Sequence, residues 1–144
     1  MHSDRFRSGI EKLTKEWSKP PLLLECDVHS DESIRAAFDT FNNHYEAKNN
    51  NARIDMMLHS IAFAPASGIL NPLVDVNRKD FLETMNVSTY SLIALAQRAR
   101  HHMDKETGGS IITMSYIGST TAVPKYSIMG PAKAALEASV RYLA

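Results

Sequence analysis

Apolar residues recur along this chain in two rhythms, one at helical spacing and one in short continuous runs. Over Asp4–Trp17, the residues Phe6, Ile10, Leu13 and Trp17 fall four, three and four positions apart, the signature of one face of an amphipathic helix. Lys19-Pro20-Pro21 ends that pattern, because proline disfavours helix in the residue before it. Leu22–Cys26 reads as a short strand with Asp27-Val28 at its carboxyl end. Ser30 is suited to cap a second helix, with Asp31 and Glu32 at the positive end of its dipole. Ile34, Ala37, Phe38, Phe41 and Tyr45 supply that helix's stripe, and Asn49–Asn51 reads as a polar loop.

The second half repeats the alternation. Arg53–Ala62 is nearly all apolar apart from Asp55 and its end, as expected of a parallel strand covered on both faces. Phe63–Val76, with Pro65, Gly68 and Pro72, reads as a loop. Arg78–Met103 is the longest predicted helix, with Leu82, Met85, Thr89, Leu92, Ala96, Ala99 and Met103 at spacings of three and four. Such a stripe suits close helix packing, including across a dimer. Gly108-Gly109 ends it, Ser110–Ser115 forms a third strand, and a last helix runs from about Gly130 to Ala144. The order α-β-α-β-α-β-α predicts an α/β fold with a mostly parallel sheet of about three strands and four helices. Ligands of such sheets bind outside the carboxyl ends of the strands. Asp27-Val28, Ser60-Ile61-Ala62 and Tyr116 each follow a predicted strand.

Composition narrows the picture modestly. At 144 residues with 44% hydrophobic content, the chain fits one soluble globular domain, 1–144. Sixteen basic and 16 acidic residues balance, which gives no electrostatic case for nucleic acid or an anionic membrane as partner. No apolar run approaches the roughly 20 residues of a membrane span. The lone Cys26 and the absence of an apolar leader in M-H-S-D-R-F-R fit a reducing, cytoplasmic setting. Six histidines show no zinc-ligand spacing, so no metal is expected. His101-His102 fits a favourable position at a helix C-terminus, and His59 a hydrogen-bonded structural role. Met56-Met57 reads as core filling.

The chemistry concentrates between Thr113 and Leu136, where Tyr116 and Tyr126 are followed by Lys133. A phenol can donate a hydrogen bond to a developing oxyanion, and a nearby ammonium would lower its pKa from about 10. Pro131 inside a helix would cost about 3 kcal/mol, whereas in the first turn its missing N–H is harmless. The helix is therefore expected to begin near Gly130, with Tyr126 in the loop before it.

The words S-Y-I-G, P-K-Y-S-I-M-G and A-K-A-A-L-E, together with C-D-V, H-S-I-A-F-A-P and D-F-L-E-T-M-N-V-S-T-Y-S, closely resemble NADH-dependent enoyl-acyl-carrier-protein reductases. These are a divergent branch of the short-chain dehydrogenase/reductase superfamily, in which the lysine follows the tyrosine by seven residues as here. The resemblance implies a Rossmann-like, doubly wound sheet and hydride transfer from NADH to the β-carbon of a trans-2-enoyl thioester on acyl carrier protein, in fatty acid biosynthesis. It implies that Tyr116, Tyr126 and Lys133 are catalytic, and that Asp27, Val28, Ser60, Ile61, Ala62 and Lys133 hold the cofactor. It further implies that Ala64, Tyr126 and Met129 meet the acyl substrate and that the intact enzyme is a homotetramer, while Asn86 matches the position where many short-chain reductases keep a helix-kinking, water-holding asparagine. A plastid is the alternative location in a eukaryote.

One feature of the family has no counterpart. None of the six glycines forms a glycine-rich turn after the first strand, where backbone N–H groups would hold the cofactor pyrophosphate. The expectation is a partial Rossmann-like domain that lacks the opening strand–helix–strand and the part after the last helix, and that binds NADH poorly alone. In the order 3-2-1-4-5-6 its strands would be 3, 4 and 5, leaving Leu22–Cys26 without a neighbour. Two alternatives remain: a short-chain reductase acting on ketones or alcohols, using Ser115, or a non-catalytic partner of a full-length reductase.

Overall fold

Helix accounts for most of the regular structure in the computed structural model, which describes residues 2–48 and 51–144. Asn49 and Asn50 of the expected polar loop lie outside the described residues. The elements are α1 (His2–Leu13), α2 (Asp31–Glu46), β1 (Met56–His59), α3 (Ala66–Leu70), α4 (Arg78–Met85), α5 (Ser91–Ala99), β2 (Ser110–Thr113) and α6 (Met129–Leu143). The α/β class is as the sequence implies.

Several elements differ from expectation. Helix α1 forms but stops at Leu13, short of Trp17, and the Thr14 hydroxyl bonds back to the Ile10 carbonyl at 2.9 Å. Phe6, Leu13 and Trp17, the stripe meant for a core, stay exposed. Leu22–Cys26 is not a strand: among the described residues no ladder partner lies beside it, and a strand exists only by pairing. Phe63–Val76 is not all loop, since it contains α3 and a single 3-10 turn at Leu73–Asp75.

Helix α2 begins as its sequence dictates. Ser30 Oγ accepts the Ser33 N–H at 3.1 Å, and Ile34 and Ala37 are buried where the helix meets α5.

The sheet has two parallel strands, paired from Met56 with Ser110 to His59 with Thr113. Its ladder continues past the strand ends through Met114 N–H to the His59 carbonyl at 3.1 Å. Side chains alternate between faces. His59 points to the α5 side, where it bonds Ser91. The opposite face is open, with Met56, Leu58 and Ile112 at 62%, 57% and 47% exposure. The expectation of a sheet covered on both faces, with Met56 as core filling, is therefore corrected: among the described residues, nothing packs there.

The long helix predicted over Arg78–Met103 is four pieces: α4, a π-helical segment at Asn86–Tyr90, α5 and a 3-10 turn at Arg100–His102. Asn77 caps its start, Oδ1 accepting from the Asp80 N–H at 2.9 Å. At the π segment the Ser91 N–H bonds the Asn86 carbonyl, five residues back. Three consecutive residues of this wider turn, Val87, Ser88 and Thr89, are buried. Asn86 thus stands at a helix irregularity, as the resemblance implied. At the far end, His102 stacks with Phe38 and meets Phe41 edge-on, and its Nδ1 lies 3.1 Å from the Ala52 carbonyl oxygen. It is a packing residue rather than only a dipole partner. Helix α6 begins at Met129, so Pro131 sits in its first turn, as expected.

Candidate active site

Because β1 and β2 are parallel and in register, their carboxyl ends at His59 and Thr113 lie side by side. Ser60–Ala62 and Met114–Tyr116 leave the sheet at this one edge. Helix α6 brings Lys133 to the same place: its Nζ donates to the Met114 carbonyl at 2.6 Å. The side chain is almost wholly buried, at 5% exposure, and burial lowers its pKa. An ammonium has three donors, so two remain after the Met114 bond.

His59 supports this arrangement from below. It is 1% exposed, with Nδ1 2.8 Å from Thr113 Oγ1 and Nε2 2.8 Å from Ser91 Oγ. The Ser91 hydroxyl donates to the Val87 carbonyl at 2.6 Å, so it accepts from the ring. This pattern assigns the neutral tautomer with hydrogen on Nε2. Burial first, and the Lys133 charge second, hold the His59 pKa down. The residue is structural, as its position predicts.

The two tyrosines meet. Their ring centroids are 4.8 Å apart at an interplanar angle of 59°. Gly118 makes room: a Cβ there would lie 2.5 Å from Tyr126 Cδ1. Gly130 in turn lets α6 approach, since its Cβ would come within 2.9 Å of the Gly118 carbonyl oxygen. Lys125, directly before Tyr126, adopts the left-handed region at φ 58°. Tyr126 packs on a buried cluster of Ala64, Ile128 and Met129. The Ala64 segment is held by Ser88, whose hydroxyl donates to the Phe63 carbonyl at 2.8 Å and accepts the Phe63 N–H at 3.0 Å. Thr89 ties the same π segment to α6 through the Ala132 carbonyl at 2.9 Å.

Burial, and then the neighbouring Tyr116, push the Tyr126 pKa up. The expectation that Lys133 lowers it is corrected: desolvation of the half-buried phenol dominates, with Tyr116 second. The outcome suits a donor, because the phenol keeps its proton at neutral pH.

Ser115 is not free. Its hydroxyl donates to Glu137 Oε1 at 2.5 Å. Asp27 lies exposed, accepting the His29 N–H at 3.0 Å and contacting the His29 ring at 2.9 Å; these bonds lower its pKa. Val28 is half-buried beside it, and neither residue is hydrogen-bonded to the Tyr–Lys group. Ser60 and Ala62 are exposed and Ile61 is half-buried. The structure thus gathers Tyr116, Tyr126, Lys133, Ala64 and Met129, with Ser60–Ala62 on the same sheet edge. A cavity of about 430 Å³ opens beside Tyr126, between the Gly118–Val123 loop and the start of α6. Gly118, Gly130, Ser88, Thr89 and Glu137 were not singled out for the site. Only Glu137, one turn beyond Lys133, carried a spacing signal.

All 144 residues match the family model described as enoyl-(acyl carrier protein) reductase. The enoyl-(acyl-carrier-protein) reductase (NADH) FabI of Bacillus cereus is 42% identical over 142 residues, covering 98% of this chain and 52% of that protein. Its counterpart from Nostoc sp. is 39% identical over 140 residues, covering 97% and 51%. Among solved structures, the Bacillus cereus enzyme with NADP+ and an indole naphthyridinone superposes at a TM-score of 0.86, with 37% identity and coverage of 98% and 52%. The Anaplasma phagocytophilum enzyme in complex with NAD superposes at 0.83, with 34% identity and coverage of 97% and 50%. The chain spans about half the length of the relatives it matches.

Proposed function

The chain belongs to the enoyl-(acyl carrier protein) reductase family, and we propose that the protein carrying it reduces trans-2-enoyl thioesters on acyl carrier protein, using NADH. The observation that carries this reading is the Tyr116–Tyr126 pair beside Lys133 at the carboxyl edge of a parallel sheet, within a chain matched throughout by that family.

The residues present fit part of the cofactor. Lys133, with two donors unspent, and Ser60–Ala62 on the adjacent strand end would hold the nicotinamide-side ribose, while Asp27 and Val28 would take the adenine. No glycine-rich turn follows β1 or leads directly from β2 among the described residues, so the pyrophosphate finds no cradle here. When bound, NADH supplies the hydride that adds to the β-carbon.

Charge then builds on the thioester oxygen as an enolate, and the α-carbon takes a proton from solvent to complete the saturated product. Tyr126 donates a hydrogen bond to that oxygen; one preset donor is worth roughly 10²–10³ in rate. A phenol whose pKa is held up by burial remains protonated for this work. Tyr116 fixes the ring of Tyr126 from one side, and Ala64 and Met129 line the acyl path from the other. The family's homotetramer is the assembly we assign to the intact protein, consistent with the exposed apolar residues Phe81, Tyr90 and Ile93 on the α4–α5 unit. We place it in the cytoplasm; among the described residues no helix is long and apolar enough to cross a membrane.

A ketone or alcohol reductase would need a hydroxyl such as Ser115 free to meet substrate, and here it is committed to Glu137. The test is the intact natural protein offered crotonyl-acyl carrier protein and simple ketones, with NADH oxidation followed optically. Turnover of the thioester is expected. Turnover of ketones alone would overturn the assignment.

A further inference from the structure

The segment carrying Tyr116 is pinned to α6 at consecutive residues. Lys133 Nζ holds the Met114 carbonyl at 2.6 Å, and one helical turn later Glu137 Oε1 accepts the Ser115 hydroxyl at 2.5 Å. That second distance falls in the range of a charge-assisted hydrogen bond between hydroxyl and carboxylate. Tyr116 itself is extended, at φ −149° and ψ 150°, half-exposed, and its ring rests on Tyr126. Beyond it, the Ser119 N–H returns to the Tyr116 carbonyl at 3.0 Å. Resting on the reading of Tyr116 and Tyr126 as active-site residues, we propose that Glu137 is a positioning residue whose carboxylate clamps Ser115 and so fixes Tyr116 against Tyr126.

The competing role for Glu137 is a surface partner for Arg141, four residues on along α6. Exposed pairs of that kind contribute little. The direction of its pKa agrees with the clamp: the hydrogen bond from the Ser115 hydroxyl lowers it first, and Arg141 contributes last.

The test uses the intact natural protein with 3-fluorotyrosine placed at position 116, read by ¹⁹F NMR and by kinetics with crotonyl-acyl carrier protein. Glu137→Ala and Ser115→Ala are each expected to shift or broaden the Tyr116 signal and to lower kcat by about 10- to 100-fold. KM for NADH should stay within about twofold, since nothing here touches the cofactor directly. The double variant should be no worse than either single one, because both remove the same bond. Glu137→Gln, which keeps an acceptor, should recover most of the rate. An unchanged Tyr116 signal in Glu137→Ala, or losses that multiply in the double variant, would overturn the clamp. Should Glu137→Ala fail to fold, Ser115→Ala, which leaves α6 intact, decides alone by the same two readouts. A wild-type protein inactive on thioesters would sink the functional reading instead, while a Tyr116 signal that still moved in Glu137→Ala would leave the clamp standing.

Discussion

Residues 2–48 and residues 56–144 differ both in how much apolar residue they carry, which is less in the first, and in where they place it. In the first region, α1 leaves Phe6 and Leu13 in solvent and Leu22–Cys26 has no ladder among the described residues; the covered places are Thr14 and the α2 face at Ile34 and Ala37. In the second, helices and strands are joined by buried polar links: His59 to Ser91 and Thr113, Ser88 to the Phe63 backbone, Thr89 to Ala132, Lys133 to Met114. Every such group must find a partner or destabilise the fold. The lesson is that the candidate site is positioned by hydrogen bonds of buried side chains, whereas the first region is held by helix propensity and one packed face.

The contrast can be broken most severely at Gly118. Gly118→Ala puts a methyl 2.5 Å from the Tyr126 ring, which must move by about an ångström. A loss in kcat of roughly 10² is expected, with the melting temperature changed by only a few degrees. Activity retained in full would show that the ring's position is unimportant.

A second test removes a link. His59→Ala leaves the Ser91 and Thr113 hydroxyls without their ring partner and opens a cavity, and should cost about 2–4 kcal/mol in a urea titration. Exposed His29, whose ring among the described residues bonds only Asp27, should cost less than about 0.5 kcal/mol when changed to Ala.

The third test is pH. The folded state holds the His59 pKa below its usual 6.5, so on acidification the unfolded chain takes up its proton first. The stabilisation is complete above about pH 6.5 and is lost as the pH falls through the folded pKa. Urea midpoints should therefore decline on acidification in the native protein, and the part due to this residue should vanish in His59→Asn. An identical decline in both would remove His59 from the account.

The smallest effect has the opposite sign. A Cβ on Gly9 in α1 meets nothing within 4 Å among the described residues, so Gly9→Ala should stabilise the protein, by up to about 1 kcal/mol from helix propensity alone. A destabilisation of that size would mean that α1 is packed more closely than the comparison holds.

Legibility in the sequence followed the same division between local and non-local physics. The Ser30 cap and Pro131 in the first turn of α6 were readable because each depends on a few neighbouring residues. Tyr116, Tyr126 and Lys133 were readable because their spacing matches a known segment. The strand expected at Leu22–Cys26 was not realised, since pairing depends on chain far away in sequence. The direction of the Tyr126 pKa was unreadable for a similar reason: it turns on burial and on the Tyr116 ring packed against it, both set by the fold. The π segment at Asn86–Tyr90 adds one residue to a turn and leaves the composition of the helix unremarkable, so periodicity alone passes over it.

The most direct measurement is kcat for crotonyl-acyl carrier protein with Tyr126→Phe in the intact natural protein, alongside the dissociation constant for NADH. Removing the hydroxyl should slow turnover by roughly 10² while leaving NADH binding within about twofold. Undiminished turnover would contradict the claim that this phenol stabilises the charge developing on the thioester oxygen.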